Sequence, residues 1–299
     1  MTQGPQNEWA EARPTPIANI VGYEFDSKIV GDRFAITVAT PLLYEATTEP
    51  LPTLYTLDQS LTLTQVVGQS RVLGALSFGH FPQTLVVGIG YPPAPPAHNV
   101  ARRNRDLTPT VAPFRSRAPA IVTEASPGLG GGPQFLRCLV EEIIPGIEAR
   151  YRVHPTDRTL IGGSLSGLFG LYVLFHRPET FARYLLVSPS MYWDNAICLS
   201  YEETWAKEHT DLPARVFCAV GELEEVLDRR WPPELETEED VPIVRMVSYL
   251  KELTGRLGSR GYPGLTLERV IFPDEHHLTV FPAALSRGLM QLFTGNDEH

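Results

Sequence analysis

Residues 158–178 read RTLIGGSLSGLFGLYVLFHRP, and this stretch decides the fold. RTLIGG is a short apolar run of the kind found in strands buried on both faces. SGLFGLYVLFHRP carries apolar residues at helical spacing and stops at a proline. Ser164 falls at the junction, bounded by Gly162 two residues before it and by Ser166 and Gly167 after it. A strand that turns sharply into a helix brings two backbones close together, so the flanking positions must be small. Ser166 stands where a second glycine is usual, and serine is still small enough.

Working outward, the same alternation continues in both directions. TLYTLD (53–58) and TLVVGIGY (84–91) read as buried strands, with residues 62–78 between them long enough for a helix. Downstream, GPQFLRCLVEEIIPGIEARY is helical in spacing, YLLVSPS and ARVFCAVG are strands, VPIVRMVSYLKELTGRLG is a helix, TLERVIF a strand and PAALSRGLMQLF a closing helix. Strand and helix in alternation predict a mostly parallel central sheet with helices on both faces. Upstream, YEFDSKIVGDRFAITVATP has two alternating stretches around Gly31-Asp32, which predicts an antiparallel N-terminal hairpin. We expect residues 1–16 to be a flexible polar arm and residues 17–295 to be a single α/β domain. Residues 91–133 are rich in proline and glycine with no clear period, and are expected to be a long loop shaping one wall of a pocket. The acidic run WPPELETEED (231–240) reads as a solvated loop.

The chain has 299 residues, 43% apolar and 20% charged, which suffices for a sizeable core. With Asp+Glu 35 against Lys+Arg 25, the net charge of −10 disfavours nucleic acid and anionic membrane surfaces as partners. A small-molecule substrate is the expected partner. The N-terminal residues show no basic start followed by an apolar run, and no window is long and apolar enough for a membrane span, so the expected location is cytoplasmic. Cys138, Cys198 and Cys218 lie far apart without metal-ligand spacing and read as buried, reduced thiols; no metal site and no cofactor is expected. Base rates alone favour a homodimer among assemblies.

A serine hydroxyl becomes a nucleophile when a base takes its proton, and the base needs a carboxylate to fix its tautomer. In sheets of this type the acid and then the histidine follow the serine at later strand ends. ARVFCAVGELEE ends a strand at Gly221 with carboxylates behind it, making Glu224 the first choice of acid and Glu222 the second. IFPDEHHLTVFPAAL places His276 and His277 between the last strand and the last helix, and His277 is preferred. The oxyanion of an acyl-transfer intermediate needs backbone donors: Leu165, next after the nucleophile, is one, and Gln59 or Ser60, after an early strand, is the other. Asp58 either contacts substrate or orients that loop by accepting backbone hydrogen bonds. Tyr192 and Trp193, in SPSMYWDN after a strand end, are candidate pocket aromatics. In RRNRD (102–106), Arg102, Arg103 or Arg105 is a candidate for an anionic substrate group, Arg105 being the one carried forward, against the alternative that the basic cluster is exposed or paired with Asp.

These motifs resemble the esterase D and enterochelin-esterase-like branch of the α/β-hydrolases, a group of serine esterases that takes in feruloyl esterases and the antigen 85 mycolyltransferases. The resemblance runs from VGYEFDSKIVGDRFAITVATP to the last helix, through LYTLD, VVGIGYP, RRNRDLTP, GGGPQFL, GGSLSGLFGLYVLFHRPETFARYLLVSPSMYWDN, AVGELEE and DEHHLTVFPAALSRGL. It implies an α/β-hydrolase fold, with Ser164 as nucleophile, His277 before a Thr-Val-x-Pro stretch as base, and Glu224 as acid. Gln59 departs from the glycine that usually follows the Asp of the oxyanion loop. The implied activity is carboxylic ester hydrolysis through an acyl-enzyme. Alternatives on the same site are acyl transfer, macrolactone cyclisation or siderophore-ester hydrolysis, and from another class a non-catalytic binding protein. Anionic siderophore complexes prefer a basic pocket, and the acidic balance of the chain argues against them.

Overall fold

The computed structural model describes residues 18–112, 128–226 and 245–294. The N-terminal arm, the acidic run 231–240 and the centre of the 91–133 segment lie outside the described residues. Strands β1 (Ile20–Asp26) and β2 (Arg33–Ala39) form the N-terminal hairpin, paired antiparallel from Ile20↔Ala39 to Asp26↔Arg33. Gly31 takes φ +71° in the turn, a left-handed conformation that glycine adopts without steric cost.

Six further strands follow: β3 (Leu51–Thr56), β4 (Leu85–Gly90), β5 (Val153–Gly163), β6 (Arg183–Val187), β7 (Ala214–Gly221) and β8 (Leu265–Phe272). The sheet order is β1-β2-β4-β3-β5-β6-β7-β8. β2 pairs antiparallel with β4, and every pair from β4 to β8 is parallel. This is the mostly parallel sheet with an antiparallel N-terminal hairpin that the sequence predicts.

Helices cover both faces, because alternate residues of each central strand point to opposite sides. On one face, α1 (Gln59–Leu76) and the closing helix α8 (Val280–Thr294) bury Val66, Val67, Leu285 and Leu289 against Leu54, Ile161, Leu185 and Phe217. On the other lie α3 (Gly132–Cys138), which continues through a π turn (Leu139–Ile143) into α4 (Ile144–Glu148), then α5 (Leu165–His176) and α7 (Met246–Arg260). Every residue of α5 from Leu165 to Phe175 is buried, as expected of a helix that is apolar all round. Cys138, Cys198 and Cys218 are free and buried, and burial pushes each thiol up to about 12, so they stay protonated and inert.

The structure adds two helices that the sequence pattern does not show. Residues 96–107 of the expected loop form a helix, α2 (Pro96–Leu107), with a proline at its start where the missing N–H costs nothing. A further helix, α6 (Ile197–Glu208), begins after three consecutive left-handed residues, Asp194, Asn195 and Ala196. Among the described residues, no helix is long and apolar enough to cross a membrane.

Candidate active site

The parallel strands share one C-terminal edge, and the chemistry-bearing residues gather there. Ser164 follows β5 and sits at φ 59°, ψ −123°, a strained conformation for a residue with a side chain. The turn is pinned by Ser164 N–H donating to Val187 O (3.0 Å) and by Ser190 N–H donating to Ser164 O (3.1 Å). Gly162 is required by space: a Cβ there would lie 2.4 Å from the Ser166 carbonyl oxygen. Ser166 stitches the turn, since its Oγ accepts from Gly163 N–H (2.9 Å) and donates to Gly163 O (2.7 Å).

Glu224 lies in the 3-10 turn Glu222–Glu225 directly after β7 and is buried. His277 lies in the loop between β8 and α8. A Cβ on Gly221 would come 2.3 Å from Glu275 O, and Leu223 N–H donates to that same carbonyl (3.0 Å). The end of β7 and the histidine loop are thereby locked side by side.

The structure brings Ser164, His277 and Glu224 together. His277 Nδ1 is 2.7 Å from Glu224 Oε2, and His277 Nε2 is 3.1 Å from Ser164 Oγ. An ionised carboxylate only accepts, so the imidazole proton belongs on Nδ1 and the bare Nε2 faces the serine hydroxyl. The other carboxylate oxygen, Oε1, accepts from Gly221 N–H (2.8 Å) and Ser188 Oγ (2.5 Å). Those two donors fix the carboxylate before it meets the histidine. Glu222 is exposed. The His276 ring accepts from Leu278 N–H (3.3 Å), and its carbonyl accepts from Thr279 and Val280 N–H at the start of α8.

The other predicted residues divide. Leu165 opens α5, and Gln59 and Ser60 open α1, so none of these three N–H groups has an acceptor within its own helix. Asp58 precedes α1 at φ 56°, ψ 44°. Its carboxylate accepts from Arg103 Nε (2.7 Å) and Nη2 (2.8 Å), not from the backbone of its loop. Burial pulls the Arg103 guanidinium down, but the charge and hydrogen bonds of Asp58 more than offset this and its pKa is raised. Arg105, expected to meet an anionic substrate group, instead gives its guanidinium to Asp106 and Asp32 (2.7 and 3.0 Å). Arg102 also pairs with Asp32. Trp193 is corrected to a packing role: it is 3% exposed, and its Nε1–H donates to Thr110 Oγ1 (3.1 Å). Tyr192 is half-buried; burial pushes its hydroxyl up, with a hydrogen bond from Ser190 and the nearby Arg103 charge opposing that shift.

Two residues escaped the sequence reading. Ser188 braces Glu224, and the buried Ser190 places its Oγ 3.3 Å from Ser164 Oγ. Both lie in SPS after β6. The available signal was their address at a strand end beside β5.

Known proteins similar to this chain are esterases. The family model described as "Putative esterase" matches residues 27–241. The ferri-bacillibactin esterase BesA of Bacillus subtilis is 30% identical over 243 residues, covering 80% of this chain and 77% of the relative. A siderophore triacetylfusarinine C esterase of Aspergillus fumigatus is 29% identical over 94% of this chain and 95% of its own. Among solved structures, the siderophore hydrolase EstA from Aspergillus nidulans superposes with a TM-score of 0.80 at 26% identity, covering 95% of this chain and 98% of the other.

Proposed function

The chain belongs to this esterase family, of the α/β-hydrolase type, and is a serine-type carboxylic ester hydrolase; from that premise we propose that Ser164, His277 and Glu224 are its catalytic triad. The observation that carries the assignment is the unbroken hydrogen-bonded chain from Ser164 Oγ through His277 to Glu224.

Ser164 Oγ attacks the ester carbonyl carbon while His277 Nε2 takes its proton. The imidazolium that forms is stabilised by Glu224 through Nδ1–H. The carbonyl oxygen becomes an oxyanion and is received by Leu165 N–H and by an amide of the α1 start, from Gln59 or Ser60. The positive ends of α5 and α1 favour the charge. His277 returns its proton to the leaving alcohol, and Ser164 is left acylated. A water molecule, deprotonated by His277, attacks the acyl carbon, and the acid departs with Ser164 restored.

The substrate class we propose is a siderophore ester of low negative charge. The named relatives support the siderophore part. The charge part is supported by the net charge of −10 and by the pairing of Arg102, Arg103 and Arg105 with aspartates.

The test is intact-mass spectrometry after fluorophosphonate treatment of the wild type and the Ser164→Ala and His277→Ala variants, beside product analysis on a panel of siderophore esters and aryl esters. One adduct on the wild type that is lost in both variants, with turnover lost in parallel, supports the triad. Labelling that survives Ser164→Ala overturns it. A product acylated on an added alcohol instead of the free acid would make the chain a transferase at the second half-reaction.

A further inference from the structure

The RRNRD segment lies on α2, outside the triad, and its middle arginine reaches the loop that opens α1. Asp58 occupies the N-cap position of α1, where an Asp side chain ordinarily accepts from the second or third amide of the helix. Here it makes no such cap bond. Leu61 and Thr62 N–H instead bond to the main-chain carbonyl of Asp58 (2.8 and 3.1 Å). The Gln59 and Ser60 amides have no acceptor within the helix. A carboxylate one residue away from amides that must receive an oxyanion is a liability on two counts. It is an acceptor suited to those donors, and it repels the negative charge that develops there.

Arg103 removes the liability. Its Nε and Nη2 take both carboxylate oxygens of Asp58 in a two-pronged pair, with the Asp58 side chain only 9% exposed. The arginine is itself held, because α2 is anchored on either side of it by Arg102 and Arg105 on Asp32 and by Tyr91 on Asp106. We propose that Arg103 is a positioning residue for catalysis: it holds the Asp58 carboxylate off the α1 amides, and so keeps the second oxyanion donor free. This rests on the reading of Gln59 or Ser60 as that donor. Arg103 touches no reacting atom and acts through Asp58.

The mechanism predicts an unusual rescue. Arg103→Met releases the carboxylate, and kcat for 4-nitrophenyl acetate falls about 100-fold, the loss that follows removal of one oxyanion donor, while KM changes less than about threefold. Asp58→Gly in the Arg103→Met background removes the carboxylate and suits the positive φ at that position, and kcat recovers at least about tenfold. The double variant also leaves no unpaired buried charge, so it remains informative if the single variant unfolds; thermal melts identify that case. A single variant that is folded and turns over at the wild-type rate overturns the proposal. So does a folded double variant no faster than the folded single one, or one as slow as the 100-fold deficit if the single variant does not fold. Failure of the triad reading is seen separately, as turnover or fluorophosphonate labelling that survives Ser164→Ala.

Discussion

Ser166 stands in place of a glycine and does more than stay small. Its hydroxyl bridges both the N–H and the carbonyl of Gly163, so it fastens the strained turn that holds Ser164. Ser166→Ala leaves the part-buried Gly163 N–H without its acceptor, at a cost of about 1–3 kcal/mol. For a chain of this size that corresponds to a melting point lower by roughly 2–5 °C, read by scanning calorimetry. An unchanged melting point would remove the bridge from the account of the turn. Glu224 gives the sharper functional expectation. Glu224→Gln favours the wrong imidazole tautomer, and kcat falls by about 10⁴-fold, whereas Glu222→Gln, altering an exposed side chain, stays within about twofold. Equal effects of the two would return the choice of acid to where the sequence leaves it. Ser164, Glu224 and His277 are legible in the sequence because each follows a recognisable strand, so chain order alone gives an address. Ser188 and Ser190 are not, because their part depends on which strands are neighbours, and that is a tertiary fact. Trp193 misleads for a related reason: a large aromatic at a strand end is equally at home in the core, and here it packs there.

At the scale of the element, α2 is the feature that the sequence hides. Prolines precede it and a proline- and glycine-rich stretch follows it, so composition argues for a loop. The helix is instead stabilised by tertiary pairing, with four charged side chains meeting partners on β2's turn, the α1 loop and the end of β4. Tyr91 O–H donates to Asp106 Oδ2 (2.8 Å), and Arg105 meets the same carboxylate, which is 1% exposed at its side chain. Burial raises the Asp106 pKa despite the arginine. A hydrogen bond to a charged group in such a setting contributes about 1.5–3 kcal/mol. Tyr91→Phe is therefore expected to lower the unfolding free energy by about that amount in urea titration, with the slope unchanged. A loss below about 0.5 kcal/mol would mean that Arg105 alone satisfies the carboxylate. α6 is hidden for another reason: three left-handed residues, Asp194 to Ala196, break the pattern immediately before it. By contrast α1, α5, α7 and α8 are legible because each buries an apolar face or body against a strand.

At the scale of the whole molecule, the mostly parallel sheet could be read from the alternation of periods, and the order of its central strands follows from pairing that a linear pattern does not encode. That order collects the ends of β3, β5, β6, β7 and β8 on one edge, where Ser164, Ser188, Glu224 and His277 meet and Asp58 follows β3. It does so inside a molecule of net charge −10, in which the arginines nearest that edge on α2 are already matched by aspartates. An anionic ester approaching the site therefore meets a repulsive field with no free arginine of α2 to draw it in. Salt shortens the reach of that field, from about 30 Å at 0.01 M to about 8 Å at 0.15 M. We expect kcat/KM for a negatively charged aryl ester to rise several-fold as ionic strength is raised across that range, because association is the step that the field slows. A neutral ester of the same alcohol should change by less than about 1.5-fold, since it carries no charge for the field to act on. The comparison is made by steady-state kinetics on both esters in the same buffers. If the anionic ester is turned over faster at low salt, a local positive potential at the site outweighs the global charge, and the preference for substrates of low negative charge is wrong.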